Sequence, residues 1–373
     1  MVVISLVIAV AIPILFLILL RRFDLYATGK ASFNLATLFG GIVAYLLAAQ
    51  INTMVDRLDW ATWDQIVRYV APVVEEILKS IILIYIVSRA DFNYVVDGAL
   101  YGFGAGIGFA VIENFQYITD PARAGTVLLV AVMRVFSTNL MHATGSGLIG
   151  TGLAFGRGDI SRRARIGVAL AGYGFAILNH MGFNILVNMK IATVVLLVFA
   201  IVMGVTGAAL IWYIIRRGMR IQKEWVSEKL GMADRVTQQE TKMVRNIETV
   251  DEVLSPVQQR FGSAKASLVR SLIYKQAEIG IKRKLLDAAP NEARKADIEA
   301  IIQDLGKDVQ DLRNRIGAYC MLLVREVYLG TEGQMWNLLN SRIAAAGPNQ
   351  KGGGLWDRMT ERVKRTADEV DPS

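Results

Sequence analysis

Seven apolar runs fill most of the first 215 residues, and no other feature constrains the fold as strongly. They lie at about 2–20, 32–50, 66–88, 93–118, 125–154, 166–188 and 191–215. A helix needs about 20 apolar residues to cross the hydrocarbon core, at ~1.5 Å rise per residue. In lipid, only helices and closed barrels satisfy their own backbone, and continuous runs of this length predict helices. The expected fold is therefore all-α, a polytopic helical membrane bundle of about seven spans. The first run, "MVVISLVIAVAIPILFLILLRRFD", has no basic leader and no small-residue cleavage site, so it is expected to be a retained helix rather than a signal peptide.

The loops set an orientation. Arg21, Arg22 and Lys30 follow the first run, Arg89 the third, Arg157, Arg162, Arg163 and Arg165 the fifth, and Arg216, Arg217, Arg220 and Lys223 the seventh. The alternate loops hold only Arg57 and Arg68, then Arg123, then Lys190. The positive-inside rule then puts the N-terminus outside and the C-terminal region in the cytoplasm. The net charge of +8 belongs to these loops and the tail, and no basic patch interleaved with aromatics suggests a nucleic-acid partner. The single cysteine, Cys320, excludes an intramolecular disulfide and any multi-cysteine metal site.

After Arg216 the chain turns charged and polar. Ile298, Ile302, Leu305, Val309, Leu312, Ile316, Tyr319 and Leu323 alternate by four and three, the seam of a coiled coil. Pro290 suits the first turn of that helix, and "DAAPNE" would fold it back on a helix at roughly 257–286. The expected division is a membrane domain over 1–217, a cytoplasmic helical hairpin over 218–345, and over 346–373 a flexible linker, "AGPNQKGGG", with a short terminal helix bearing Leu355, Met359 and Val363.

Chemistry is suggested by the polar residues inside the spans. The stretch "VVEEILKSIILIYIV" places Glu75, Glu76 and Lys79 in an otherwise apolar run, where each charge costs ~2.5–3.5 kcal/mol at mid-bilayer. On a helix Lys79 reaches either carboxylate, being four residues after Glu75 and three after Glu76. One lysine neutralises one glutamate, so the pair suggests a base beside an acid rather than a simple ion pair. The next span, "DGALYGFGAGIGFAVIENFQYI", carries a close-packing stripe of Gly98, Gly102 and Gly106, followed by Glu113 and Asn114. Both histidines lie inside spans: His142, on a stripe with Arg134, Thr138 and Ser146, and His180, with Asn184 and Asn188 following at intervals of four. Counting rise per residue puts Glu75, Glu113 and His180 in the outer half of the bilayer or near its middle, and His142 somewhat deeper. Such a set, with no histidine elsewhere, suggests one shared site.

The ordered motifs "EEILK", "FAVIEN", "MHATGSG" and "NHMGFN", spread over about residues 66–190, resemble the PrsW family of intramembrane proteases, relatives of the type II CAAX prenyl endopeptidases. The resemblance implies a multi-pass protease of the bacterial inner membrane that cuts a membrane-anchored, anti-sigma-factor-like protein on its outer side. It places one of Glu75 and Glu76 as the water-activating group, Lys79 as the residue that sets their charge, and Glu113 at the second glutamate motif. His142 would help hold the water, and His180 with Asn184 matches a pattern that forms an oxyanion hole in the CAAX relatives. The CAAX branch has arginine where Lys79 stands, and its spacing before the middle histidine is not reproduced at His142. No cofactor is expected under this glutamate mechanism; the other chemistry is zinc held by His142, His180 and Glu113. Other readings of the same residues are a proton-coupled carrier, which would call for two halves with corresponding broken helices, and a scaffold whose cytoplasmic hairpin binds a partner or a second copy.

Overall fold

A computed structural model describes residues 1–20, 29–123, 125–157, 161–189, 193–230, 244 and 250–327. Among these residues the regular elements are all helices. They are α1 (Val2–Leu20), α2 (Ala31–Arg57), α3 (Trp63–Gln65), α4 (Ala71–Ser88), α5 (Val95–Thr119), α6 (Val127–Phe136), α7 (Thr138–Phe155), α8 (Arg162–Asn188), α9 (Thr193–Lys229), α10 (Val250–Asp287), α11 (Glu292–Ile316) and α12 (Ala318–Val327). A π-helical turn, Ile66–Val70, leads into α4. The terminal helix expected around Leu355, Met359 and Val363, and the linker before it, lie outside the described residues.

Among the described residues six helical stretches are long and apolar enough to cross a membrane: Val2–Leu20, Ala31–Arg57, Val95–Thr119, Val127–Phe155, Arg162–Asn188 and Ile201–Lys229. The protein is thus a multi-pass helical membrane bundle. The expected third run, 66–88, is not among the six; its helix α4 carries Glu75, Glu76 and Lys79, which lower its apolar character.

Helix α5 is the centre of the bundle, with residues 92–110 all buried. Its glycines allow this. A methyl group at Gly102 would lie 2.2 Å from the Ser146 carbonyl oxygen of α7, and one at Gly108 would lie 2.0 Å from the Leu38 carbonyl of α2. Only glycine permits such backbone approach on both sides of one helix. The stripe Gly98–Gly102–Gly106 meets α7 at Gly150, Ser146 and His142 in turn, which brings His142 alongside α5 near Glu113.

The expected span 125–154 is found as Val127–Phe155, but its helix is interrupted. Ser137, at φ −118° and ψ −76°, separates α6 from α7, so Arg134 does not continue the stripe of Thr138, His142 and Ser146 on one helix. Counting rise from residue 125 therefore does not measure the depth of His142.

Helix α9 runs unbroken for 37 residues through position 217, where the membrane part was expected to end. Its distal residue Val226, with Leu230 just beyond it, joins the core formed by α10, α11 and α12. Helices α10 and α11 are antiparallel, since Lys275 pairs with Asp308 (3.0 Å) and Lys265 donates to the Ile316 carbonyl (3.1 Å). The heptad seam is shorter than expected. Gly317 adopts φ +84° and ends α11 at Ile316, so Tyr319 and Leu323 sit on a new helix and Tyr319 is 48% exposed. Pro290 also lies outside the first turn: the Asn291 side chain caps the helix at Arg294 N (2.9 Å), and Glu292 is the first helical residue.

The C-terminal helices rest on the loop that ends α4. Arg157 donates to the carbonyls of Val87 (3.0 Å), Arg89 (3.0 Å) and Phe92 (3.2 Å), and Lys282 of α10 donates to Ala90 (2.7 Å) and Phe92 (3.4 Å). Carbonyls at a helix C-terminus lack helical partners and favour cations. Lys282 is fully buried, and burial lowers its pKa from 10.5 to about 8. Between that value and the unfolded value the unfolded chain binds more protons, so stability rises with pH. We predict that raising the pH from about 8 to about 10.5 stabilises the wild type relative to Lys282→Met by up to about 3 kcal/mol. Denaturant unfolding of both proteins across that range checks it; parallel pH profiles would refute it.

Candidate active site

The site is built on α4. Glu76 and Lys79, 1% and 0% exposed, form an ion pair at 2.5 Å one turn apart. Lys79 Nζ also lies 2.9 Å from His142 Nδ1 and sits over the Phe109 ring. An ammonium only donates, so Nδ1 of His142 accepts and the ring proton is on Nε2. That Nε2–H donates to Glu113 Oε2 at 2.9 Å. The same Glu113 oxygen is ion-paired with Arg134, at 2.7 Å.

The same logic sets His180. Its Nδ1 is 3.1 Å from Glu76 Oε1, and a carboxylate accepts, so Nδ1 donates and Nε2 keeps its lone pair. That lone pair lies 3.7 Å from Glu75 Oε2. The two imidazoles meet edge to face with centroids 4.8 Å apart. Glu75, 15% exposed, has no hydrogen-bond partner among the described residues, and Glu76 Oε2 is buried without one, facing Gly145. A continuous polar chain therefore runs Arg134–Glu113–His142–Lys79–Glu76–His180–Glu75 across α6, α5, α7, α4 and α8.

Of the residues singled out in the sequence, Glu75, Glu76, Lys79, Glu113, His142 and His180 come together here. Asn184 is turned elsewhere: its Nδ2 donates to the Val67 carbonyl of the π-helical turn (2.9 Å) and its carbonyl accepts from Asn188 (2.9 Å). Arg134 and Asn114, also named from the sequence, join the cluster together with Asn139. Arg134 Nε donates to Asn114 Oδ1 (2.6 Å), and Asn114 Nδ2 donates to Asn139 Oδ1 (2.6 Å). The signal for Arg134 was its charge within an apolar run; Asn139 had no comparable signal.

The potential metal ligands differ from the expected set. Ligand atoms of Glu75, His142 and His180 lie within 4.8 Å of one another, so Glu75 stands where Glu113 was expected. Glu113 is instead engaged by Arg134 and His142. One carboxylate and two imidazoles are a donor set that zinc hydrolases use, with one position left for water. The bond from His180 Nδ1 to Glu76 is of the kind that orients a metal-binding imidazole. The donor set fits, on the condition that His142 releases Lys79 or Glu113.

Carboxylates, imidazoles and an ion pair are thus gathered inside a helical membrane bundle. The sequence model described as PrsW family intramembrane metalloprotease matches residues 30–211, a range that contains this entire polar chain. Over these residues the protein is a PrsW-family intramembrane endopeptidase. Searches of curated proteins and of solved structures gave no match.

Proposed function

We propose that this protein hydrolyses a peptide bond of a membrane-anchored protein, using a water activated by Glu75 and His180. The observation that supports it is the 3.7 Å gap between Glu75 Oε2 and His180 Nε2, two acceptors with no closer partner for each other. A water between them donates one proton to each and turns a lone pair outward for attack on a carbonyl carbon. Glu75 takes the proton as the tetrahedral intermediate forms. Glu76 acts differently, neutralising Lys79 and fixing the tautomer of His180. Lys79 and Glu113 fix that of His142, whose ring walls the water site. In this reading Asn184, whose amide meets the Val67 carbonyl, anchors α8 to the entry of α4.

The family name and the Glu75–His142–His180 group favour a second reading, in which these three residues hold zinc. A bound zinc supplies water activation and carbonyl polarisation. Glu75 then serves as a ligand rather than as the base.

Loop charges and family membership support the remaining features. The protein lies in a bacterial inner membrane with its N-terminus outside, α4 completes a seventh span, and the substrate is anti-sigma-factor-like, cut in the outer half of the bilayer. Residues 1–217 carry catalysis, and the helices within 218–345 face the cytoplasm, where they meet a partner or a second copy.

The test is purified protein in liposomes with membrane-anchored peptides, products being located by mass spectrometry. Cleavage in the outer half of the peptide's span is expected; no cleavage of any peptide, or cuts only in the cytoplasmic half, would overturn the reading. Metal analysis of the same preparation separates the chemistries. A metal-free, chelator-insensitive enzyme supports Glu75 as the base. About one zinc per chain, with activity lost on its removal, supports the three-ligand reading.

A further inference from the structure

We infer that Arg134 is a positioning residue, one that acts on the site by holding Glu113 against His142. This rests on the proteolytic reading above for its consequence, though not for its geometry. Arg134 lies on the short helix α6, separated from the helix of His142 by the break at Ser137, and is 12% exposed. Its guanidinium makes three different contacts with the last turns of α5. One nitrogen is 2.7 Å from Glu113 Oε2, Nε donates to Asn114 Oδ1 at 2.6 Å, and the guanidinium lies over the Tyr117 ring with its central carbon 3.8 Å from the centroid. Asn139, at the start of α7, orients Asn114 in turn.

Glu113 Oε2 thus meets two groups at once, the Arg134 guanidinium in an ion pair and His142 Nε2–H in a hydrogen bond. The carboxylate is not fully enclosed, being 18% exposed, so without the arginine it is free to turn away from His142. His142 would then lose the acceptor of its Nε2–H, which with Lys79 on the other nitrogen fixes the ring orientation, while Lys79 alone still sets the tautomer. A planar fork with a stacking face is what the site uses, and lysine supplies neither. The effect of Arg134 on hydrolysis passes through His142, and no atom of it needs to touch the substrate.

Partners that orient a catalytic imidazole typically matter by about 10–100-fold, and that loss is expected in kcat for Arg134→Gln, with KM within about twofold. Arg134→Lys should recover part of the loss by restoring charge without the fork. The decisive readout is spectroscopic. The chain has two histidines, so ¹⁵N-histidine NMR in lipid nanodiscs resolves them, and His180→Gln assigns the pair. Wild-type His142 should show an Nε2–H proton shifted far downfield by its bond to the Glu113 carboxylate, and Arg134→Gln the same tautomer, still set by Lys79, with that proton moved upfield in protein that remains folded by circular dichroism. An unchanged Nε2–H proton shift in folded Arg134→Gln, or in folded Arg134→Lys if the glutamine variant does not fold, overturns the inference. Because the spectrum needs no turnover, it decides the positioning role even if the wild type cleaves nothing, an outcome that would overturn the proteolytic reading instead.

Discussion

Purified protein carrying Glu75→Gln is expected to keep its fold and its thermal midpoint while peptide hydrolysis falls by about 10³-fold. The reason is local. Glu75 accepts no hydrogen bond among the described residues and is one of the least buried members of the cluster, so an isosteric amide removes no packing and breaks no pair. It does remove the proton acceptor, and one of the two amide positions now donates towards the lone pair of His180. Glu76→Gln should behave differently, losing both activity and stability, because Glu76 Oε1 accepts from Lys79 and His180 together. Steady-state cleavage of a membrane-anchored peptide and thermal unfolding in detergent, measured on both variants, separate the two glutamates. If Glu75→Gln retains more than about a tenth of wild-type kcat, a loss below the smallest contribution usual for a general base, Glu75 is not the activating group.

Adjacent glutamates on a helix point about 100° apart, so a sequence with "EE" announces that only one can face the lysine without saying which. The apolar runs, the glycine stripe and the pairing of one glutamate with Lys79 were legible because each depends on spacing along a single helix. The choice between Glu75 and Glu113 as the carboxylate beside the histidines depends on how four helices meet, which periodicity does not encode. The same holds for Arg134. Its interval of four from Thr138 suggested one continuous stripe, yet the backbone turns at Ser137 and aims the guanidinium at α5. Gly317 is a different case. A glycine following Arg313 and Arg315 is a recognisable helix stop, and the unbroken apolar heptad concealed it.

Whether the buried charges hold the bundle together or perform chemistry can be decided at Lys79. Lys79→Met should destabilise the protein by about 3–5 kcal/mol, the range for leaving one buried partner uncompensated. Lys79 and Glu76 are both almost fully buried, and Glu76 already has one oxygen without a partner, so the remaining carboxylate has only His180 to satisfy it. Adding Glu76→Gln to Lys79→Met removes that stranded charge while leaving an amide oxygen for His180 Nδ1. The double variant should therefore be more stable than Lys79→Met alone, with a coupling of about 0.5–3 kcal/mol between the two positions. It should nevertheless remain inactive, because the ammonium that sets the His142 tautomer is gone. Equilibrium unfolding in mixed micelles, with peptide cleavage measured on the same preparations, gives both quantities. Recovery of stability and activity together would show that the pair serves only as structural glue, and a double variant no more stable than Lys79→Met would show that the two charges are not coupled. Recovery of stability without activity is the result that a site built from buried charges requires.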